Sequence, residues 1–325
     1  MTMQGSSNPS VASAPSIVDP PVIDYEGSPY RTAFWEGQGR DYEDAAERLA
    51  LQRLVPAHGR RIAEFGAGFG RLADLYLGYE QIVLFDYSRT LLQEAVTTWG
   101  SDKRFVFVAG NIYQLSLAKA SLDTLVMVRV MHHLADVPLA LQQIRRVLHN
   151  QSVAILEYAN KRNVKSLARW LAGRQAWSPL DEQPVEFVEL NYDFHPGWMD
   201  KQFANADLRV RQQFGVSHFR TPLLKQKVAA ATLAQWDSWL FAPGGHYPLA
   251  PSVFVQAETL TSAKSVLEGG PTKRSVDDLT DLFSCPACGG DRTFTLEHEA
   301  ELNCQRCSKR YANRDGIWDF KESLN

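Results

Sequence analysis

Seven residues, Glu64-Phe65-Gly66-Ala67-Gly68-Phe69-Gly70, constrain the fold of this 325-residue chain more than any other stretch. They follow directly on a short apolar run, Arg61-Ile62-Ala63, and the next apolar run, Ile82-Val83-Leu84-Phe85, closes on Asp86. Glycines are needed where a backbone bends sharply or approaches a ligand closely. An acid about 20 positions beyond such a loop is placed to accept hydrogen bonds from two ribose hydroxyls. Strand, glycine loop, helix, strand and carboxylate in that order describe a nucleoside-binding βαβ crossover, which commits the chain to the α/β class.

The form of the loop narrows the ligand. A dinucleotide loop reads G-x-G-x-x-G, its third glycine letting the helix pack closely on the strand. Here the pattern is G-x-G-x-G, Arg71 stands where that third glycine would fall, and the acid Glu64 precedes the loop. A carboxylate in that place repels a pyrophosphate and suits an ammonium group. S-adenosylmethionine offers an ammonium, a sulfonium, a ribose and an adenine, and no phosphate. On these residues the chain resembles the class I S-adenosylmethionine-dependent methyltransferases, in particular the type 11-like group.

The resemblance continues through a third strand at 105–109, ending in Gly110-Asn111-Ile112, and a fourth at 122–128, followed by Arg129-Val130-Met131-His132-His133-Leu134. Apolar spacing predicts a helix at 137–148 and a fifth strand at 152–158. Residues 41–160 are covered well, and the likeness reaches more loosely to 260. It implies a Rossmann-like, doubly wound, seven-stranded sheet, mostly parallel with its last strand antiparallel. Two substrate-side inserts, 160–200 and 217–250, carry many aromatics, and strands at 208–216 and 252–257 finish the sheet, with helical apolar spacing over 223–240 between them. The implied cofactor contacts are Glu64, Gly66, Ala67, Gly68, Gly70, Asp86, Tyr87, Asn111, Ile112 and Arg129. Asn111 departs from the Asp usual in the family. His132 and His133 follow the fourth strand near the expected place of the methyl group, as candidate general bases. His195 and Glu157 share that strand-end face. A segment near 30–35, ahead of a helix expected from Asp41 to Leu54 and with Arg31, Arg40 or Tyr42 reaching a carboxylate, is expected to fold over the cofactor.

All four cysteines lie at the end of the chain, as Cys285-Pro286-Ala287-Cys288 and Cys304-Gln305-Arg306-Cys307, with 15 residues between the pairs. This spacing falls within the C-x2-C-x15–20-C-x2-C zinc pattern, and Gly289 permits the tight turn after the first knuckle. Four thiolates fill a tetrahedron, so the predicted Zn2+ is structural. The module resembles the small zinc ribbons that activate RNA and protein methyltransferases, which implies docking on its own methyltransferase domain. The expected organisation is a disordered arm over 1–25, the methyltransferase domain over 26–258, a linker over 259–280 and the ribbon over 281–325.

The formal charge of -3 gives no overall basic signature for nucleic acid. No apolar stretch approaches the length of a membrane span, and the first residues lack the basic start of a signal peptide. A cytoplasmic protein with no membrane partner is expected. No N/D-P-P-Y/F stretch follows the fourth strand, and every cysteine is allotted to metal, which argues against adenine-amine and cytosine-C5 methylation. A small-molecule acceptor methylated at O, N or C is the leading expectation. An RNA methyltransferase and a non-catalytic cofactor-binding protein are the alternatives.

Overall fold

The computed structural model describes residues 20–260, 278–297 and 300–325. Most of the expected N-terminal arm and most of the expected linker lie outside the described residues. In chain order α1 (Asp41–Leu54), β1 (Gly59–Phe65), β2 (Tyr79–Asp86), α2 (Arg89–Trp99), β3 (Phe105–Ala109) and β4 (Leu122–Met127) come first. They are followed by α3 (Val137–Val147), β5 (Leu148–Ala159), α4 (Val164–Leu171), a hairpin of β6 (Val185–Val188) and β7 (Asn191–Asp193), and α5 (Pro196–Asn205). Then come β8 (Leu208–Val216), α6 (Pro222–Lys227), α7 (Ala230–His246) and β9 (Ser252–Thr259). The cysteine-bearing end forms β10 (Phe294–Glu297), β11 (Glu301–Cys304), β12 (Arg310–Arg314) and β13 (Ile317–Asp319).

β1 to β5 pair in parallel in the spatial order β3-β2-β1-β4-β5, and β9 then pairs antiparallel with both β5 and β8. Strands covered on both faces read as unbroken apolar runs, and β3 and the end of β1 are buried throughout. One face carries α3 and α5, through Leu141, Ile144, Met199 and Phe203. The other carries α1, α2 and α7, through Leu51, Leu92, Leu233 and Phe241. This is the doubly wound, mostly parallel sheet that the sequence predicts.

Four local differences have physical causes. The β1–β2 crossover holds a single 3-10 turn, Ala73–Tyr76, in place of a full helix, because little chain remains between Gly70 and Gly78. The helix expected over 223–240 is two: Val228 and Ala229 are extended, and Val228 packs on the core. The β6–β7 hairpin was not foreseen; its tip exposes Phe187 and Val188. Residues 20–25, assigned to a disordered arm, instead lie against the glycine loop, where Val22, Ile23 and Tyr25 are held.

The ribbon is continuous with the main sheet. β10 to β13 pair antiparallel with one another, and β13 adds in parallel to β3, with Ile317, Trp318 and Asp319 opposite Phe107, Val108 and Ala109. A second seam runs along 115–118, where Ala118 N donates to Leu282 O (2.7 Å) and Ser284 N to Ser116 O (2.7 Å). Phe283, Phe294, Tyr311, Trp318 and Phe320 join the core on the α3 face. An edge strand with open backbone groups is thereby covered.

Candidate active site

The loop after β1 works through backbone geometry. Gly66, Gly68 and Gly70 all have positive φ (+70°, +54° and +75°), a region costly for side chains with a Cβ. At Gly66 a Cβ would also stand 2.1 Å from Val130 Cγ2. The loop thereby turns under a cleft of about 730 Å3, open mouth included, whose walls include Phe65, Asp86, Tyr87, Leu91, Ile112 and Arg129. A smaller pocket adjoins it and shares Tyr30, Gly66, Gly68 and Arg129; Glu64, Ala67, Arg71 and Trp35 line its far end.

Two carboxylates bracket these spaces. Asp86 accepts from Gly68 N (2.7 Å) and Ser88 N (2.8 Å), which fixes its orientation at the end of β2. Burial raises its carboxyl, against the lowering effect of those two N–H groups. Glu64 is buried, and burial pushes it up to about 8. The Tyr76 hydroxyl lies close by but off hydrogen-bond geometry, so Oε2 of Glu64 has no partner. A buried, unpartnered carboxyl oxygen beside a small pocket fits an ammonium ligand, since unmade buried hydrogen bonds are costly.

Behind Glu64 stands an arginine pair. Arg71 pairs with Asp44 and, at 2.7 Å, with Glu47, while its guanidinium lies 3.7 Å from the centre of the Trp35 ring. Arg129 Nη2 meets the other Glu47 oxygen at 2.5 Å, and its backbone N donates to Glu157 (2.8 Å). Burial alone would raise the Glu47 carboxyl, but Arg129 and Arg71 outweigh it and hold it below the usual range. Arg129 adopts φ +60°, a strained conformation for a residue with a side chain. Neither Glu47 nor Trp35 was singled out from the sequence; a buried acid on α1 reads there as one polar position of an amphipathic helix.

The N-terminal strap closes the cleft. Glu26 caps α2 by accepting from Arg89 N (2.7 Å) and Thr90 N (3.1 Å). Tyr25 and Tyr30 line the cleft with ring centres 4.8 Å apart and planes tilted by 50°. Of the strap residues named in advance, Arg31 pairs with Glu36, and Arg40 lies over Phe34 and Trp35. Tyr42 is buried in the core, where its hydroxyl accepts from Phe219 N (3.0 Å).

The two histidines differ. His133 lines the cleft; its Nδ1 lies 3.1 Å from Leu190 O and its Nε2 3.3 Å from the Tyr25 hydroxyl. A carbonyl partner requires the proton on Nδ1, so the Nε2 lone pair accepts from the Tyr25 hydroxyl at the cleft wall. Burial lowers its pKa, so the ring is neutral at pH 7. His132 packs against it, with ring centres 3.9 Å apart and planes tilted by 46°, but does not line the cleft; its Nδ1 is buried without a partner, and burial lowers it further. His195 is the N-cap of α5, and Glu157 is tied to Arg129 N and the Ser252 hydroxyl. Asn111 is not on the cleft wall and turns Oδ1 to Tyr113 N (2.9 Å). Gly70 acts in the turn, its carbonyl accepting from Trp99 Nε1 (3.2 Å).

The cysteines form a compact cluster, with all four Sγ atoms within 4.8 Å of one another. Cys285 and Cys307 lie 3.6 Å apart and Cys288 and Cys304 3.7 Å, close to the edge of about 3.8 Å that a tetrahedron with Zn–S near 2.3 Å requires. Each knuckle is closed by one bond, Gly289 N to Cys285 O and Ser308 N to Cys304 O (both 2.8 Å). Gly289 takes φ +65° as foreseen; Ser308 takes the matching conformation at +59° without being glycine. The donor set can hold a metal ion.

Residues 63–156 match the family model described as a methyltransferase domain. A probable S-adenosylmethionine-dependent methyltransferase of Mycobacterium tuberculosis, found in two strains, is 23% identical over 240 residues, 73% of this chain and 80% of that protein. Among solved structures, a Haloferax volcanii methyltransferase in complex with the Trm112 methyltransferase activator aligns with a TM-score of 0.49 at 18% identity, over 70% of this chain and 95% of that one. An S-adenosylmethionine-dependent methyltransferase of Listeria monocytogenes aligns at 0.49 and 13%, over 68% and 99%. With the glycine loop and the strand order, these sequence matches identify an S-adenosylmethionine-dependent methyltransferase domain in this chain.

Proposed function

We propose that the enzyme methylates an O, N or C atom of a small-molecule acceptor, with His133 as general base, and that a structural Zn2+ holds its C-terminal ribbon. The observation that carries this reading is a cleft with Asp86 and the Nε2 of His133 on its wall, adjoined at the glycine loop by the smaller pocket that Glu64 lines. Bound S-adenosylmethionine supplies an electrophilic methyl on a sulfonium. Glu64 receives the ammonium, Arg129 the carboxylate, Asp86 the ribose hydroxyls, and Ile112 and Tyr87 flank the adenine. Gly66, Ala67 and Gly68 let the backbone come close, and Gly70 and Asn111 shape the turns that support them. Tyr25 and Tyr30 exclude water, which favours an in-line displacement by holding the reactants together. His133 takes the proton of an acceptor that must lose one; His132 packs behind it and sets its position.

The ribbon supports the cofactor end of the cleft. Lys321 lies 4.3 Å from the centre of the Tyr87 ring and 3.8 Å from Glu26, and Arg89 pairs with Asp319 at 3.4 Å. Cys285, Cys288, Cys304 and Cys307 would hold the Zn2+ and keep this tail in place. The acceptor reading is tested by incubating the enzyme and methyl-labelled cofactor with cell extract, with and without RNase. Label is expected in the small-molecule fraction in both cases; label found only in RNase-sensitive material would overturn it.

A further inference from the structure

We propose that the face built around α4 docks on an anionic lipid bilayer. This helix is built inside out. An ordinary surface helix buries its apolar stripe, yet the one buried residue of α4 is Ser166, whose hydroxyl pairs with Gln175. Val164, Ala168 and Leu171, spaced four and three apart on one side, face outward, with Val164 60% and Leu171 78% exposed.

Val164 N donates to Leu249 O (3.0 Å), which sets α4 beside the segment after α7. In that segment Tyr247 is 77% exposed, and on α7 itself Trp239 is 66% exposed.

Charge selects the occupant. Residues 160–180 hold five Lys and Arg and no Asp or Glu, in a chain whose net charge is -3. Lys161 is turned inward to Gln183 O, whereas Lys165, Arg169 and Arg174 are exposed beside the stripe. An apolar stripe flanked by cations, with an exposed Tyr on the adjoining segment, matches the boundary between anionic headgroups and acyl chains. A nucleic acid would leave Val164 and Leu171 uncovered. A second copy packed two-fold on this face would set like charges against each other. Contact with the surface differs from spanning: among the described residues no helix is long and apolar enough to cross a membrane.

The face follows the carboxyl end of β5, and the β6–β7 hairpin that comes after α4 in the chain touches His133 through Leu190. An acceptor held at the bilayer would therefore be amphiphilic, although the docking itself does not depend on which acceptor is methylated.

The test is cosedimentation of the full chain with vesicles of phosphatidylcholine alone or mixed with phosphatidylglycerol. Pelleting is expected only with the mixed vesicles and is expected to weaken as salt is added. The pair Lys165→Ala with Arg169→Ala should weaken it roughly thirtyfold, and Leu171→Ser should also weaken it, both variants keeping the parent's melting temperature and methyl-donor affinity. No pelleting at low salt, or equal pelleting with neutral vesicles, would overturn the proposal. So would a dimer that Leu171→Ser dissolves, or RNA binding that the cation pair abolishes, if either occurs without vesicle binding.

Discussion

Glu64 couples the chemistry of the site to pH. With its carboxyl raised to about 8, it is mostly neutral in the empty cleft at pH 7, and an incoming ammonium should ionise it. Methyl-donor binding is then expected to release a proton near neutral pH, so calorimetric heats should change with the ionisation enthalpy of the buffer. The stability effect has a definite sign. A carboxyl whose folded pKa is raised contributes stability below its unfolded value near 4.5 that is lost as pH rises through about 8. Glu64→Gln should therefore melt higher than the parent at alkaline pH without ligand, while binding methyl donor about ten- to hundredfold more weakly. His133→Ala should lower kcat about 10²- to 10⁴-fold and leave methyl-donor affinity unchanged. Because burial depresses its pKa, the rate should fall only below the ordinary imidazole range near 6.5. Glu64, Asp86 and the histidine pair were legible because each sits at a fixed offset from an apolar run. The choice of His133 over His132 was not, since it depends on the Leu190 carbonyl and Tyr25, 57 and 108 residues away in the chain.

At the scale of elements, the legible parts were those whose pattern is local. β1 to β5 are apolar runs bounded by glycine or polar residues, and α1 follows its predicted span from Asp41 to Leu54. The contact of β13 with β3 could not be read from pattern, because any apolar strand with an open edge offers the same signal. The strap over 20–30 is likewise short and rich in proline, with no helix or strand period, and its contacts with α2 and the cleft give it order. Gly66→Ala should cost about 1–3 kcal/mol in denaturant unfolding, from the left-handed backbone and the approach of Val130. Lys321→Ala tests the ribbon-side latch: methyl-donor affinity should fall a few-fold, by about the worth of a partly exposed cation–π contact, with melting unchanged.

The whole molecule unites two modules that the sequence separates by a low-complexity join. Phe283, Trp318 and Phe320 share one core with α3 and β3, so the ribbon and the main sheet are expected to unfold together. Stripping the metal should lower the melting of the entire chain in one transition, and weaken methyl-donor binding through the Lys321, Asp319 and Glu26 contacts. Unchanged melting of the main sheet after chelation would contradict that coupling. The central claim is that the cleft of Glu64, the glycine loop and Asp86 binds S-adenosylmethionine. Its most direct test is a calorimetric titration of S-adenosylmethionine into the parent and Asp86→Ala. The parent should bind one molecule per chain, and Asp86→Ala should bind at least about tenfold more weakly through loss of the charged hydrogen bonds. No binding by the parent, or equal binding by both, would contradict it.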